Sequence, residues 1–393
     1  MDFRRLEDAK LKNKTVLVRV DFNVPRDKDG EVTDDTRLRT ALPTIKKLQK
    51  SGAKTILLSH FGRPKGKADD ENSLRFIVPH LANALEHPIH FATDLNPNIV
   101  EVMKAGDVTL LENTRFHEGE TKGNVALAKE IAAMGDIFVM DAFSAAHRDH
   151  ASSAGIAEFL PAFAGLAMER ELDHISQALD IPKKPVMAIV GGAKVSTKID
   201  LLKNLVNKLD RLVIGGGMAN TFLFAKGHNV GASLCEKDLK DTALEILANA
   251  KKAKCEIILP VDLVVAKEFK ANSESRVCGL DDVKRNEMIL DAGPDTVNTI
   301  IDAIDKSKTL IWNGPLGAFE LTPFDTSTVE SAKYAAKRCK ADKIIAVAGG
   351  GDTVSALNQA GVSDDFTFIS TAGGAFLEWM EGKILPGVEI LKK

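Results

Sequence analysis

The side chains best equipped to act on a ligand fall into two groups. In the first 150 positions, arginine, histidine, asparagine and aspartate follow short apolar runs: Asp21-Phe22-Asn23 after 16–20, His60-Phe61-Gly62-Arg63 after 56–58, Asn113-Thr114-Arg115 after 108–111, and Asp141 with His147-Arg148-Asp149-His150 after 137–140. Arg37, beside Arg39, opens the first helical segment. Guanidinium groups present planar forks that match carboxylate and phosphate oxygens. The second group is rich in glycine: Gly191-Gly192-Ala193-Lys194 with Lys198, Gly215-Gly216-Gly217, Asn313-Gly314-Pro315, Gly349-Gly350-Gly351-Asp352-Thr353 and Ala372-Gly373-Gly374. Glycine lets backbone N–H groups approach an anion closely, and a helix start adds a favourable dipole. One half thus offers cationic forks and the other phosphate cradles, which suits a small, multiply anionic substrate and a nucleotide.

These clusters need elements to carry them. Short runs rich in valine, isoleucine and leucine recur at 15–20, 55–58, 89–92, 108–111 and 137–140, and again at 186–190, 212–214, 256–259, 309–312, 344–348 and 366–369. Continuous apolar runs of this length are strands buried on both faces of a parallel sheet. Helical periodicity between them, as at 39–51, 125–134, 238–252 and 328–339, completes α/β units. The expectation is an α/β chain with two Rossmann-like domains, each a mainly parallel sheet flanked by helices. A single amphipathic helix at 163–179, followed by the prolines of Ile181-Pro182-Lys183-Lys184-Pro185, is expected to join them as a helical hinge. In such sheets ligands bind beyond the carboxyl ends of strands, which is where both groups of residues stand.

Each cluster also has a plainer reading. A lone loop arginine is ordinarily a solvated charge. His147 and His150 lack the HExxH pattern of a zinc site, and Asp352 after glycine suits a helix N-cap. Lys194 and Lys198, four apart, resemble any solvated helix face. Co-location of the clusters at strand ends in both halves is what favours function. Asp352 would repel a phosphate unless a Mg²⁺ ion lay between them. No GxxxxGK[ST] or GxGxxG motif occurs, which argues against a Walker-type nucleotide site and a nicotinamide dehydrogenase. A binding protein that closes on an anionic metabolite without chemistry is the remaining rival.

Composition sets the outer bounds. The 393 residues suit two domains, 44% are hydrophobic and 27% charged, and the net charge is −3. With aromatics at 5%, nothing suggests a nucleic-acid partner. Apolar runs are far shorter than the roughly 20 residues of a membrane span. Cys235, Cys255, Cys278 and Cys339 form no CxxC pair and read as reduced thiols. With no apolar signal core in Met1-Asp2-Phe3-Arg4-Arg5, a cytoplasmic protein is expected.

Eight segments in order make the sequence resemble the phosphoglycerate kinase family along its whole length: VRVDFNVP (18–25), SHFGRPKG (59–66), LLENTRFHEGE (110–120), DAFSAAHRDHAS (141–152), GGAKVSTKID (191–200), GGGMANTF (215–222), WNGPLGAFE (312–320) and AGGGDTVSAL (348–357). Ser144-Ala145 stands where the family usually has Gly-Thr, and Ala372 where a third glycine is usual. The resemblance implies reversible phosphoryl transfer from 1,3-bisphosphoglycerate to MgADP, giving 3-phosphoglycerate and MgATP. It implies a triose-binding domain at 1–168 with 380–393 returning to it, a hinge at 169–185 and a nucleotide-binding domain at 186–379. Asp21, Phe22, Asn23, Arg37, His60, Phe61, Gly62, Arg63, Arg115 and Arg148 would hold the triose. Lys194, Lys198, Gly215, Gly216, Gly217, Asn313, Pro315, Glu320, Gly350, Gly351, Asp352 and Thr353 would hold the nucleotide, with Asp352 on Mg²⁺. Arg37 and Lys198 would meet the moving phosphoryl group after domain closure, and His60 would orient a substrate oxygen. The resemblance also implies a monomer with small-molecule partners only.

Overall fold

The computed structural model describes residues 2–393. Two compact units emerge, one running to Asp173 and taking in Ile384–Lys393, the other spanning His174–Lys383.

The first unit is built on six strands: β1 (Thr15–Arg19), β2 (Lys54–Leu58), β3 (Ile89–Ala92), β4 (Val108–Leu111), β5 (Ile137–Met140) and β6 (Ala162–Ala164). They lie in the order β3-β4-β2-β1-β5-β6, all parallel. β1, β4 and β5 are buried at every position, which explains their unbroken apolar runs. The Thr36–Ser51 helix packs Leu38, Ala41, Ile45 and Leu48 onto this sheet and ends on Gly52, whose left-handed backbone suits a helix terminus.

The second unit holds β7 (Val186–Val190), β8 (Arg211–Ile214), β9 (Glu256–Ile258), β10 (Asp262–Ala266), β11 (Ser275–Gly279), β12 (Met288–Ala292), β13 (Thr309–Asn313), β14 (Ile345–Gly349) and β15 (Phe368–Ser370). Six form a parallel sheet in the order β15-β14-β13-β7-β8-β9. The other three make a separate antiparallel sheet, β11-β10-β12, absent from the sequence-based expectation.

In each large sheet the strand order reverses beside the first strand, between β1 and β5 and between β7 and β13. A crevice at such a reversal is the natural ligand site of an open α/β sheet.

The helix expected over 163–179 begins later, at Leu166–Leu179. Phe163 instead pairs with Val139 in β6, and Ala164 N–H donates to Arg4 O at 2.8 Å. Asp141 Oδ1 accepts from Ala167 and Met168 N–H at 2.9 and 3.2 Å, which marks the true start. The division between units falls inside this helix, between Asp173 and His174. The expected boundaries at 168 and 185 lay on either side of it. At the far end the first unit regains the chain from Ile384, and 380–383 stay with the second.

Candidate active site

In the first unit, β1 delivers Asp21 and Asn23 to the reversal point and the Thr36–Ser51 helix brings Arg37 over them. Arg37 Nη1 donates to Asp21 Oδ1 at 3.1 Å and to Asn23 O at 2.9 Å. Ser144 Oγ, after β5, donates to Asp21 Oδ2 at 2.5 Å. The hydroxyl at this departure from the family pattern thus holds Asp21 across the crevice. Asn23 Oδ1 accepts from Gly62 N–H at 3.0 Å, and Arg115 Nη1 donates to Gly62 O at 2.6 Å. The loops after β1, β2 and β4 are therefore stitched together. Beside them Arg63, Arg115, Arg148 and His150, with Lys65, Lys67 and Lys122, line an open basin of about 720 Å³.

Cations crowd this end of the sheet. Burial and the charges of Arg148, Arg19 and Arg63 push Arg115 down to about 10. Burial and the arginines around it push His60 well below its usual range, so its ring is neutral at physiological pH. The Phe22 and Phe61 side chains sit in the core. Their N–H groups are taken by Ser59 Oγ at 2.9 Å and Asn113 Oδ1 at 3.2 Å. These two therefore shape the loops from beneath, rather than facing a ligand as expected.

Three further residues escaped sequence reading: Arg19, Glu120 and Ser152, all buried. Arg19 Nε donates to Ser152 Oγ at 3.2 Å, and Ser152 donates to Glu120 from both its hydroxyl and its N–H. In a sequence, a buried charge is indistinguishable from a solvated one.

In the second unit, Lys198 follows β7 and turns back into the reversal point. Its Nζ donates to Gly191 O at 2.6 Å, Asn313 Oδ1 at 2.6 Å and Asn313 O at 3.1 Å. Desolvation pushes this ammonium down to about 8, with Asp352 working in the opposite direction. Asn313 Nδ2 donates to Gly349 O at 2.8 Å, so its amide is spent inside the protein. Asn313 was expected in the adenosine pocket and instead aims Lys198. Thr353 Oγ1 likewise accepts from Gly314 N–H at 2.7 Å. Gly350 lies at φ 99°, and the Gly351–Gln359 helix begins beside it with Gly351 and Asp352 exposed. Its first N–H groups lack intrahelical partners and suit an anion.

The glycines here are steric requirements. A Cβ on Gly191 would lie 1.7 Å from Pro315 O, and one on Gly216, at φ 66°, would lie 2.7 Å from Gly192 O. Close backbone approach is what brings these strand ends together. Next to them is a pocket of about 300 Å³ walled by Gly216, Gly217, Pro315 and Glu320. Leu234, Phe269, Met288 and Leu290 add apolar surface that sequence reading missed. Two of these come from β12, in the unforeseen antiparallel sheet. Such a slot suits a flat aromatic base. Gly215 belongs to a different cavity, and Lys194 is exposed.

Asp141 and Asp291 are each pushed up to about 7 by burial. Both accept backbone N–H groups at helix starts, from 167–168 and from Ser327 respectively, and so have structural work.

The geometry defines a two-unit α/β protein with a guanidinium-lined anion site on one unit and a glycine–lysine phosphate site beside a base-sized slot on the other. The family model of phosphoglycerate kinase matches residues 6–383. The chain is 59% identical over 397 residues to a phosphoglycerate kinase of Brucella abortus, and 60% identical over 396 residues to one of Caulobacter vibrioides, with full coverage of both chains in each case. The solved phosphoglycerate kinase of Coxiella burnetii superposes with a TM-score of 0.94 at 42% identity, covering 99% of this chain and 98% of that one. That of Pyrococcus horikoshii gives 0.77 at 30% identity, with the same coverage. The chain belongs to the phosphoglycerate kinase family. Its reaction is phosphoryl transfer between 1,3-bisphosphoglycerate and ADP, yielding 3-phosphoglycerate and ATP in glycolysis. Among the described residues, no helix is long and apolar enough to cross a membrane.

Proposed function

We propose that the triose is held by Asp21, Asn23, Arg37, His60, Arg63, Arg115 and Arg148, and that Lys198 with the 350–353 helix start receives the nucleotide phosphates. The carrying observation is the Lys198 ammonium, gripped by three oxygens where β7 and β13 diverge. A buried cation at a glycine-lined strand end serves a ligand that brings negative charge. In-line phosphoryl transfer needs positioning and neutralisation of the equatorial oxygens rather than a covalent intermediate. Arg37 supplies a preset fork and Lys198 a point charge. The leaving carboxylate of an acyl phosphate is stable as an anion, so no general acid is required. The two half-sites lie on different units, and direct transfer requires them to close on one another with exclusion of water.

Asp352 fits a Mg²⁺ site of a particular kind. It is a single exposed carboxylate, and among the described residues no cluster of three possible ligands occurs. A magnesium ion that keeps several waters and takes its other ligands from phosphate oxygens asks for no more. When bound, the ion would neutralise phosphate charge beside Lys198. The partners are small molecules, with a monomer as the functional unit and the cytoplasm as the compartment.

A coupled assay for ATP formation from 1,3-bisphosphoglycerate and ADP tests these roles. Arg37→Ala should lower kcat on the order of 10²-fold with little change in nucleotide KM. Near-normal turnover would remove Arg37 from the transfer step.

A further inference from the structure

Beneath the basic basin lies a charged group that no role above uses. Arg19, at the carboxyl end of β1, is 1% exposed. Its guanidinium is fully directed inward: Nη1 donates to Val20 O, Nε donates to Ser152 Oγ at 3.2 Å, and Nη2 lies 3.0 Å from His60 Nδ1. Glu120, 1% exposed, answers its charge through Ser152, and His150 Nδ1 stands 3.9 Å from the same carboxylate. Through Ser152 the arginine would serve only to join the loops after β4 and β5. The contact with His60 goes further.

A guanidinium has five donors and no acceptor. A ring nitrogen facing it at hydrogen-bond distance must therefore present its lone pair, and in a neutral imidazole the proton then resides on the other nitrogen. His60 Nε2 makes no hydrogen bond to the described residues. The charged groups that act on the ring are Arg19, Arg115, Arg148 and Arg37, all cationic, and they oppose a second proton.

We propose that Arg19 is a positioning residue that locks His60 as the Nε2–H tautomer, so that His60 meets the triose as a neutral hydrogen-bond donor and not as a base. The inference rests on the reading above that His60 contacts the triose. It assigns the recognised atom: an oxygen with a free lone pair, such as a carboxylate, phosphate or hydroxyl oxygen, and not a hydroxyl proton. A neutral donor adds specificity among arginines without adding charge. The second ring nitrogen matters here because its partner fixes which end of the ring is available.

Long-range ¹H–¹⁵N correlation spectra of the histidine rings in the full chain test the lock directly. The Nε2-protonated pattern should persist for His60 between pH 6 and 8. An Nδ1-protonated pattern, or a ring that protonates in that range, would overturn the proposal. On saturation with 3-phosphoglycerate the Nε2 resonance should move. A ring with the expected tautomer but an unmoved Nε2 would instead refute the triose contact, and with it the functional part of the inference. Arg19→Met should allow both tautomers and raise the 3-phosphoglycerate KM on the order of tenfold, leaving the ATP KM unchanged. A folded Arg19→Met chain that keeps the pure Nε2–H pattern would refute the lock. Should that variant fail to fold, His60→Gln and His60→Asn decide the matter. Glutamine can place an amide N–H near the Nε2 position and asparagine only near Nδ1, so glutamine should retain triose affinity within about threefold while asparagine loses about tenfold. Equal losses, or the reverse order, would overturn the assignment.

Discussion

Burial holds Lys198 at about 8, within reach of ordinary assay conditions, whereas a solvated lysine titrates near 10.5. Nucleotide phosphates bind the charged form. The sign follows: kcat/KM for nucleotide should fall as pH rises through about 8 and level off below it, since kcat/KM reports groups of the free enzyme. A profile flat to pH 9.5 would show that the ammonium stays charged. At this scale the sequence was legible wherever charge or glycine followed a strand, as with Lys198 and Gly216, or opened a helix, as with Arg37. It was opaque wherever a residue's work lies in what it holds: Asn313 aims Lys198, Phe22 and Phe61 support their loops from the core, and Arg19 is hidden under His60. Residue type cannot report burial.

The Leu166–Leu179 helix begins on Asp141, and that carboxyl gives the element its pH response. Its ordinary value, near 3.9, applies to the unfolded chain, while the folded value is about 7. The folded state therefore keeps the proton longer, and the stability associated with it is full below pH 4 and lost as pH climbs toward 7. Asp291 acts in the same direction. In thermal unfolding between pH 4 and 7.5, Asp141→Asn should reduce the downward slope of Tm while leaving Tm at pH 4 nearly unchanged. An asparagine Oδ1 can still accept from Ala167 and Met168. An unchanged slope would mean that Asp141 is ionised throughout. Parallel strands were readable because burial on both faces leaves an unbroken apolar run. β10 to β12 were not, because they form a half-exposed sheet: Val277 on β11 is 55% exposed, and the apolar run of β10 follows Leu259-Pro260 so closely that it merges with β9. β6 was absorbed into the helix after it, since Phe163 fits either pattern.

At the scale of the molecule, two units each have their own sheet and core, as the two series of strands indicated. What periodicity could not convey is how the first unit is finished. Arg4 N–H donates to Leu391 O at 2.8 Å, and Gly387 N–H donates to Ala146 O at the same distance. Leu385, Val388 and Leu391 are buried there. Each buried side chain of this kind contributes about 1.5–3 kcal/mol. Deleting 384–393 should therefore destabilise the first unit far more than the second. Hydrogen exchange resolved by peptide should show lost protection in β1, β5 and β6 with β7 and β13 unaffected, and uniform protection would show the segment to be dispensable. The same closure carries a consequence for biosynthesis. Everything from His174 to Lys383 is translated between the body of the first unit and the piece that seals it, so that unit must wait, with an apolar seam uncovered, until its neighbour has been made in full.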